Sequence, residues 1–361
     1  MADRAFNFSA GPAQMPDAVL RRIRDDLPVA RDASTSVLEM PFTGTEFRAI
    51  AEAAEARLRA LLGVPGNYKI LFLHGGAMAM FALVPLNLLR GRRHAAYVDS
   101  GYWAARAIAE ARRYCDVRIA ADNADCGRAR MPPMSQWRLD PDSAYCHVTS
   151  NETVDGLEYS FTPETGDVPL VADMTSNFLT RPVDVSRYGL IYASAQKNVG
   201  PTGLAIVIVR EDLLGAAHPL TPSVFDFARQ GESRSMLNTP NTFAVYVASL
   251  VFEWIAQQGG IAAMEEAAIR RSRRIYSVID AGSFYRCSAA PDSRSRTTVC
   301  FQLADPSLVP EFLAEAEAEG LSNLKGHKAV GGLRAALYNA MPEAGAERLA
   351  SFMEEFARRR G

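Results

Sequence analysis

The sequence predicts an α/β fold with a mainly parallel sheet, followed by a smaller C-terminal α+β domain. In the middle of the chain, short apolar runs alternate with longer amphipathic stretches, a pattern typical of strands connected by helices. Several of the runs are almost continuously apolar, as expected for strands that are covered on both faces. After about residue 280 short strands alternate with helices, which indicates a change of architecture.

The larger part of the chain begins with a helix and continues with a strand. Residues 46–62 are rich in Ala, Leu, Glu and Arg, which favour a helix, and Gly63 ends it. The apolar run at 69–73 leads as a strand into a glycine-containing loop. The elements expected after this loop are helices at 78–89 and 103–114 and strands at 95–99, 144–149, 168–173, 189–194 and 204–210.

Two long helices separate this part from the C-terminal one. Periodic apolar positions predict them at 241–258 and 260–279. The elements expected after them are strands at 298–303 and 332–337 and helices at 307–319 and 343–359.

Composition excludes several classes of protein. The chain has 361 residues, 48% hydrophobic and 22% charged, enough for a large core and about two domains. A net charge of -2 gives no reason to expect nucleic acid or an acidic membrane as partner. The N-terminus lacks a secretory signal pattern, and no apolar stretch reaches the roughly 18 residues of a transmembrane helix. Five cysteines without a C-x-x-C pair predict neither a disulfide framework nor a metal site, and they fit the cytoplasm.

Ligands of open α/β sheets bind beyond the carboxyl ends of the strands, so the polar groups there are candidates. The segment from His74 to Met78 joins a strand to a helix through two glycines. Glycine lets the backbone approach a ligand, and the free N–H groups at a helix start suit a phosphate. A plain tight turn remains an equal alternative at this point.

Two charged residues follow the later strands. Asp173 ends an apolar strand, and a partly buried carboxylate there requires a cationic partner such as a protonated pyridine nitrogen. Lys197 lies in a loop containing Gly and Pro between two buried strands, where a lowered pKa would favour Schiff-base chemistry. The alternatives are a helix-capping Asp and a solvated Lys.

A fourth strand end carries the segment Thr149–Thr153, whose hydroxyls and amides suit a phenolate oxygen or a phosphate. Ordinary turn chemistry is the alternative. The order of the candidates along the chain, glycine loop, aromatic, hydroxyl, acid and then lysine, is more specific than any one of them.

These residues lie within motifs that together resemble the phosphoserine aminotransferases, a family of class-V, fold-type I enzymes that depend on pyridoxal 5'-phosphate (PLP). The resemblance extends essentially from end to end. The motifs that carry it are NFSAGP, DSGYWA at 99–104, NETVDG at 151–156, RPVDVSRYG at 181–189, SAQKNVGPTG at 194–203, NTPNTF at 238–243, KGH at 325–327 and YNAMP at 338–342.

The resemblance implies a role for each residue around the cofactor. Lys197 would hold PLP as a Schiff base and shuttle a proton, Asp173 would pair with the pyridinium nitrogen, and Trp103 would stack on the ring. Thr153 would hydrogen-bond the phenolic oxygen. The cofactor phosphate would be surrounded by Ala77, Met78 and Gln196, with Asn238 and Thr239 reaching it from the neighbouring subunit of a homodimer.

Domain boundaries and substrate residues are also expected. We expect an N-terminal segment (1–15) near the site, a large PLP-binding domain (16–260) and a small domain (261–361). Arg334 matches the arginine that grips the substrate α-carboxylate, and Ser9 is assigned to the same substrate site.

The chain departs from the family at the substrate side chain. Phe42 and Thr43 stand where relatives typically have His and Arg, and Met78 stands where they often have Arg or a polar residue. The Lys-Gly-His-Arg segment ends in Lys328 here. His327 and Lys328 are therefore the remaining cationic candidates.

The implied reaction converts O-phospho-L-serine and 2-oxoglutarate to 3-phosphooxypyruvate and L-glutamate, a step of serine biosynthesis. Loss of two charge-assisted pairs, each worth roughly 1.5–3 kcal/mol, would weaken phosphate binding by orders of magnitude. A relative specialised for a less anionic amino or oxo acid is therefore the alternative. Phosphate binding through His327, Lys328 or a shifted arginine is the competing explanation. Another PLP reaction, such as elimination, and a non-catalytic binding protein are the remaining hypotheses.

Overall fold

The computed structural model describes residues 4–31 and 33–361. The helices are α1 (Asp17–Asp26), α2 (Thr45–Leu62), α3 (Gly76–Leu88), α4 (Tyr102–Ala111), α5 (Phe227–Glu232), α6 (Thr242–Gln257), α7 (Gly260–Asp280), α8 (Val309–Ala318) and α9 (Glu343–Arg360). The strands are β1 (Phe6–Asn7), β2 (Tyr68–His74), β3 (His94–Asp99), β4 (Asp116–Asp122), β5 (Cys146–Thr149), β6 (Asn151–Glu152), β7 (Leu157–Glu158), β8 (Leu170–Asp173), β9 (Leu190–Ser194), β10 (Leu204–Arg210), β11 (Tyr285–Arg286), β12 (Thr298–Leu303), β13 (Leu321–Ser322) and β14 (Leu333–Ala336).

Within these residues the main sheet has seven strands in the order β2-β10-β9-β8-β5-β3-β4. Strands β3, β4, β5, β8 and β9 run parallel, whereas β10 is antiparallel to both β2 and β9. The reversal follows from the short connection between Ser194 and Leu204, because a parallel crossover needs a dozen or more residues. The predicted α/β fold with a mainly parallel sheet is confirmed.

The register of the sheet brings several strand ends together. Thr149 lies opposite Asp173, and Asp173 lies opposite Tyr192 in the next strand. At the antiparallel pair, the end of β2 at His74 meets the start of β10 at Leu204. The carboxyl ends of β2, β5, β8 and β9 therefore share one edge of the sheet, where the candidate residues of the sequence were expected.

A second, smaller core forms around the C-terminal elements. Strands β11, β12 and β14 make a three-stranded sheet, and the aromatic side chains of α8 and α9 pack against it. The N-terminal strand β1 pairs with β13, so the start of the chain is attached to this part. Helix α7 contributes Ile261 to the first core and Ile275 to the second. The domain boundaries at residues 15 and 260 stay a prediction.

Besides the short elements α5, β6 and β7, two elements of the main part were not expected from the sequence. Helix α1 has a largely charged second half, and in β4, at the edge of the sheet, only Ala120 and Ala121 are buried. Neither has the continuous apolar run that marks a buried strand. Expected strands at 144–149 and 168–173 begin two residues later, at Cys146 and Leu170. None of the described helices combines the length and hydropathy needed to span a bilayer.

Candidate active site

A cavity of about 350 Å³ lies at the shared edge of the strands, within the roughly 300–1,000 Å³ typical of small-molecule sites. Its lining comes from seven separate stretches of chain, as expected for a site at strand ends. The lining residues are Gly11, Pro12, Gly75, Gly76, Ala77, Met78, Trp103, Thr149, Asn151, Asp173, Thr175, Ser176, Ser194, Gln196, Lys197, Thr202 and Gly203. Lys197 is the one cationic side chain among them.

The amine of Lys197 lies in an environment that favours its neutral form. It is 5.9 Å from the centre of the Trp103 ring. The pKa of Lys197 is lowered to about 8, mainly by burial and also by the charge of Arg334, while Asp173 and Glu152 oppose these effects. The lowered pKa increases the neutral fraction of the amine near neutral pH, and the neutral form is the one that acts as a nucleophile.

The carboxylate of Asp173 is buried beside this lysine. Its Oδ1 accepts a hydrogen bond of 2.8 Å from the backbone N–H of Thr175. Burial raises the pKa of Asp173, while hydrogen bonding by Thr175, the charge of Lys197 and the Tyr192 hydroxyl lower it. A buried carboxylate with these donors retains its charge only at a cost, so a cationic ligand atom beside it would be stabilised.

Behind Asp173 lies a buried histidine. Nε2 of His147 is 2.9 Å from the hydroxyl of Tyr192, and the imidazole stacks on Tyr97 at 4.9 Å between ring centres. Burial lowers the pKa of His147 to about 3, so the ring is neutral at physiological pH. The chain from His147 through Tyr192 to Asp173 therefore adds hydrogen bonding, and no charge, behind the carboxylate.

The glycine loop adopts a conformation that side chains disfavour. Gly75 and Gly76 have φ of 108° and 68°, and a Cβ on Gly76 would lie 2.8 Å from Oγ of Ser194. The backbone N–H groups at the start of α3 thus face the cavity without a side chain in between. Ala77 and Met78 follow them in the lining, and Gln196 hydrogen-bonds Ser194 on the opposite wall. This arrangement suits a phosphate group.

The start of α4 is held by the segment 152–155. Glu152 is fully buried, and its two oxygens accept hydrogen bonds from the backbone N–H groups of Trp103 and Ala104 at 2.9 and 2.8 Å. Oγ1 of Thr153 accepts a third, 2.9 Å bond from the Trp103 indole. Asp155 lies beside the backbone N–H of Tyr102. The segment therefore fixes both the backbone and the ring of Trp103.

Two buried polar atoms in the lining have no partner among the described residues. They are Oγ1 of Thr149 and Oδ1 of Asn151. Unpaired buried polar atoms are costly, and here they face a cavity that already presents an amine, a carboxylate, an aromatic face and helix N–H groups. The donor set fits PLP, which has an aldehyde, a ring nitrogen, a phenolic oxygen and a phosphate to match them.

The predicted substrate residues lie partly in a neighbouring cavity. Nη1 of Arg334 donates to the backbone oxygen of Thr153 at 3.3 Å. The ring of His327 packs against that of Tyr102, tilted by 58° at 4.8 Å between ring centres, and burial lowers the pKa of His327. Ser9 is partly buried, and its Oγ accepts a 3.2 Å bond from the N–H of Gly11, a lining residue.

The structure does not place the other predicted residues in the lining of the Lys197 cavity. Phe42 packs against the main core and Thr43 is exposed. Asn238 accepts a bond from Gln230, the exposed Thr239 holds His74 through its backbone oxygen, and Lys328 is exposed. For Asn238 and Thr239 the expected contact is with a neighbouring subunit, so the position in one chain leaves that prediction open.

Sequence reasoning missed the residues that support the site from behind. Glu152 and Asp155 hold the start of α4 from about fifty positions later in the chain. Tyr192 contacts Asp173, and His147 contacts Tyr192 from 45 positions earlier. The acids and the threonine within NETVDG were one available signal, because three polar side chains in a short turn can cap a distant helix. No local pattern marks His147, which lies in an apolar strand.

A buried lysine and acid beside an aromatic ring and a helix start form the arrangement expected of a PLP-dependent enzyme. A family model described as Aminotransferase class-V matches residues 5–349. The chain is 50% identical over its whole length to phosphoserine aminotransferase of Acidithiobacillus ferrooxidans, and 49% identical to that of Pseudomonas aeruginosa, each covering 100% of both chains. The chain belongs to the phosphoserine aminotransferase family.

Solved structures agree with this assignment. Phosphoserine aminotransferase from Bacillus circulans subsp. alkalophilus superposes with a TM-score of 0.97 at 41% identity, covering 99% of each chain. PLP-bound phosphoserine aminotransferase from Trichomonas vaginalis gives 0.94 at 35% identity, covering 97% of this chain and 100% of that one. The predicted family, fold type and PLP cofactor are confirmed.

Gly101 provides a test of the segment that holds Trp103. A Cβ at Gly101 would lie 2.7 Å from Cδ of Glu152, so Gly101→Ala should displace this carboxylate and lower the free energy of unfolding by about 1–3 kcal/mol. Weaker PLP binding and a changed visible circular dichroism of the bound cofactor should accompany it. Gly66→Ala, which meets nothing within 4 Å, is the matched control. Wild-type PLP affinity in Gly101→Ala would contradict the interpretation.

The pKa of Lys197 predicts how PLP attachment depends on pH. The rate at which the apoprotein takes up PLP should rise through an apparent pKa of about 8, because the neutral amine attacks the aldehyde. Arg334→Gln should move this midpoint upward and Asp173→Asn downward, since the two charges act in opposite directions. Stopped-flow absorbance measures the rate, with a lysine-containing peptide correcting for titration of PLP itself. A midpoint near the ordinary 10.5 would refute the assignment.

Proposed function

We propose that the protein transfers an amino group from O-phospho-L-serine to 2-oxoglutarate, forming 3-phosphooxypyruvate and L-glutamate. The observation that carries the proposal is the cavity in which Lys197, Asp173 and Trp103 converge, in a chain 50% identical over its full length to proteins named phosphoserine aminotransferase. The reaction is a step of serine biosynthesis, and we expect it in the cytoplasm.

Each residue of the cavity has a defined task in this reaction. Bound PLP supplies an electron sink that stabilises negative charge at the substrate Cα. Asp173 holds the proton on the ring nitrogen, which keeps that sink effective. Lys197 would hold the cofactor through its amine, and as a free amine it would carry the proton between the substrate Cα and the cofactor, a task suited to its pKa of about 8. Trp103 covers the ring face and excludes water.

Arg334 is the residue we propose for the substrate α-carboxylate. Its guanidinium is partly buried and has no carboxylate within salt-bridge distance among the described residues. Its one recorded side-chain hydrogen bond goes to the backbone oxygen of Thr153, which leaves most of its donors available. A guanidinium fork binds a carboxylate through two parallel bonds, and this fixes the substrate amino group near Lys197.

A second candidate function has one observation in its favour. Met78 lines the Lys197 cavity with 53% of its surface exposed, and Phe42 and Thr43 bring no charge. The apolar Met78 in the lining suits the side chain of a less anionic amino acid better than it suits a phosphate. The second candidate is transamination of such an amino or 2-oxo acid by the same residues.

We propose that the enzyme is a homodimer whose active sites are shared. Asn238 and Thr239 do not line the Lys197 cavity of their own chain, as expected if they reach the cofactor phosphate of a second copy. Leu38, Met78 and Leu220 are large apolar side chains that are exposed in one chain by 59%, 53% and 80%. Apolar surface of this kind favours association.

A donor comparison decides between the two candidate functions. For the phosphoserine reaction, kcat/KM with phosphoserine should exceed that with L-alanine by about a hundredfold or more, since a bound phosphate contributes at least one or two charge-assisted hydrogen bonds. Steady-state assays with 2-oxoglutarate as acceptor measure the ratio. A ratio near or below one would favour the less anionic substrate.

Lys197→Ala tests the reaction type independently of the substrate. It should lower transamination by more than about a thousandfold, because one side chain both attaches the cofactor and transfers the proton. The chain has four lysines, Lys69, Lys197, Lys325 and Lys328, so borohydride reduction and peptide mapping give an unambiguous label. Lys69→Ala, a surface lysine paired with Glu211 at 2.8 Å, is the control and should keep full activity. A label on any lysine except Lys197 would refute the proposal.

A further inference from the structure

A second cavity of about 210 Å³ lies beside the first and is lined mainly by polar groups. It is bounded by the loop after β4, by the segment 154–155 and by strands of the smaller sheet. The lining residues used below are Arg128, Asp155, Arg286, His327 and Arg334. Arg128 and Arg286 have no role in the reaction as described above.

The charges around this cavity are unbalanced. Three guanidinium groups, on Arg128, Arg286 and Arg334, face it together with a single carboxylate, Asp155. His327 adds no charge at neutral pH, because burial lowers the pKa of its imidazole. Asp99 lies behind Arg128 at 3.6 Å from its guanidinium, outside the lining. With Arg334 engaged by the α-carboxylate, Arg128 and Arg286 against Asp155 leave a net charge of about +1 for a distal anion, which gains charge-assisted hydrogen bonds from the two guanidinium groups.

Arg334 connects this cavity to the catalytic one. It lines the second cavity, it touches the backbone of Thr153 whose hydroxyl holds the Trp103 ring, and its charge lowers the pKa of Lys197. A substrate whose α-carboxylate is held by Arg334 therefore has its side chain within reach of either cavity. The catalytic cavity offers no second cation in its lining, so an anionic side chain is drawn to the other one.

The backbone at Arg128 supports a functional role. Its φ is 59°, a left-handed conformation that is uncommon for any residue except glycine. The preceding Gly127 is also left-handed, with φ of 61°. Holding a long side chain at such a position costs energy, and strain of this kind tends to accumulate where a side chain must point in a fixed direction. Here that direction is the cavity.

We propose that the second cavity binds the distal anion of the substrate, with Arg128 as its specificity-determining residue and Arg286 as a second cation. The anion is the phosphate of the amino donor or the side-chain carboxylate of glutamate and 2-oxoglutarate. This inference rests on the proposed function for the identity of the substrate. It accounts for anion recognition in a chain with Phe42, Thr43 and Met78, which carry no charge.

Arg128→Gly is the sharpest test, because glycine adopts φ of 59° without strain and only the side chain is lost. KM for phosphoserine should rise by roughly tenfold to a hundredfold, the effect of losing one charge-assisted hydrogen-bonded pair, with kcat and the melting temperature nearly unchanged. L-Alanine, which lacks the distal anion, should be transaminated as by the wild type. Arg286→Ala should show a smaller effect of the same kind.

Arg130→Ala is the matched control. Arg130 lies in the same loop, pairs with Asp292 at 3.7 Å and does not line the cavity, so this variant should behave as the wild type with every donor. A KM increase for phosphoserine alone identifies the phosphate as the occupant, and an increase for glutamate alone identifies the carboxylate. An unchanged KM for both, or an equal loss with L-alanine, would overturn the proposal.

Calorimetry on the holoenzyme separates this proposal from the proposed function. Inorganic phosphate should bind to wild type and to Arg130→Ala, and at least tenfold more weakly to Arg128→Gly, by the same physical argument. If phosphoserine is not a substrate but phosphate binding still depends on Arg128, the proposed function fails while the anion site stands. Equal phosphate affinity in Arg128→Gly and wild type would show that the cavity is no anion site.

Discussion

The site depends on the burial of an acid and an amine at neighbouring strand ends. Water would stabilise the charges of both Asp173 and Lys197, and burial removes that stabilisation from each. Burial thus raises the pKa of Asp173 and lowers that of Lys197 to about 8, while their mutual attraction acts against both changes. A cofactor with a cationic ring nitrogen and an aldehyde would suit both groups, because the nitrogen would pair with the Asp173 carboxylate and the aldehyde would react with the Lys197 amine. The parallel register of β5, β8 and β9 makes this possible.

The ring of Trp103 is also positioned by residues that follow the end of a strand. Glu152 replaces the side-chain cap that α4 lacks at Gly101, and Thr153 binds the indole of Trp103 from the same segment. The absence of a Cβ at Gly101 lets the carboxylate approach the helix. Burial raises the pKa of Glu152 to about 8, so a carboxyl group is placed there despite an electrostatic cost. The position of Trp103 is therefore set by backbone contacts as well as by its own ring.

The sequence predicts site residues that are marked by their immediate neighbours, and it does not predict those whose partners lie far away in the chain. Lys197 and Asp173 are found from local context, because each directly follows an apolar run and the order of runs defines the sheet. The antiparallel direction of β10 is indicated by the short 195–203 connection, because that segment is too short for a crossover helix. Glu152 could not be assigned its task from sequence, because its partners lie about fifty positions earlier. The sequence around Arg128 does not indicate its role either, because most of the other residues that line its cavity lie far later in the chain.

The use of arginine and lysine in this chain follows a clear chemical division. There are 35 arginines and four lysines. A guanidinium cannot lose its proton under physiological conditions and binds carboxylate or phosphate through a fixed fork, whereas a lysine amine changes its charge readily when it is buried. Arg334 and its neighbours therefore serve to hold anions, and Lys197 alone is placed where neutralisation is needed. An ammonium at the anion site would compete for the aldehyde, so keeping lysine out of both cavity linings except at position 197 also protects the attachment of the cofactor.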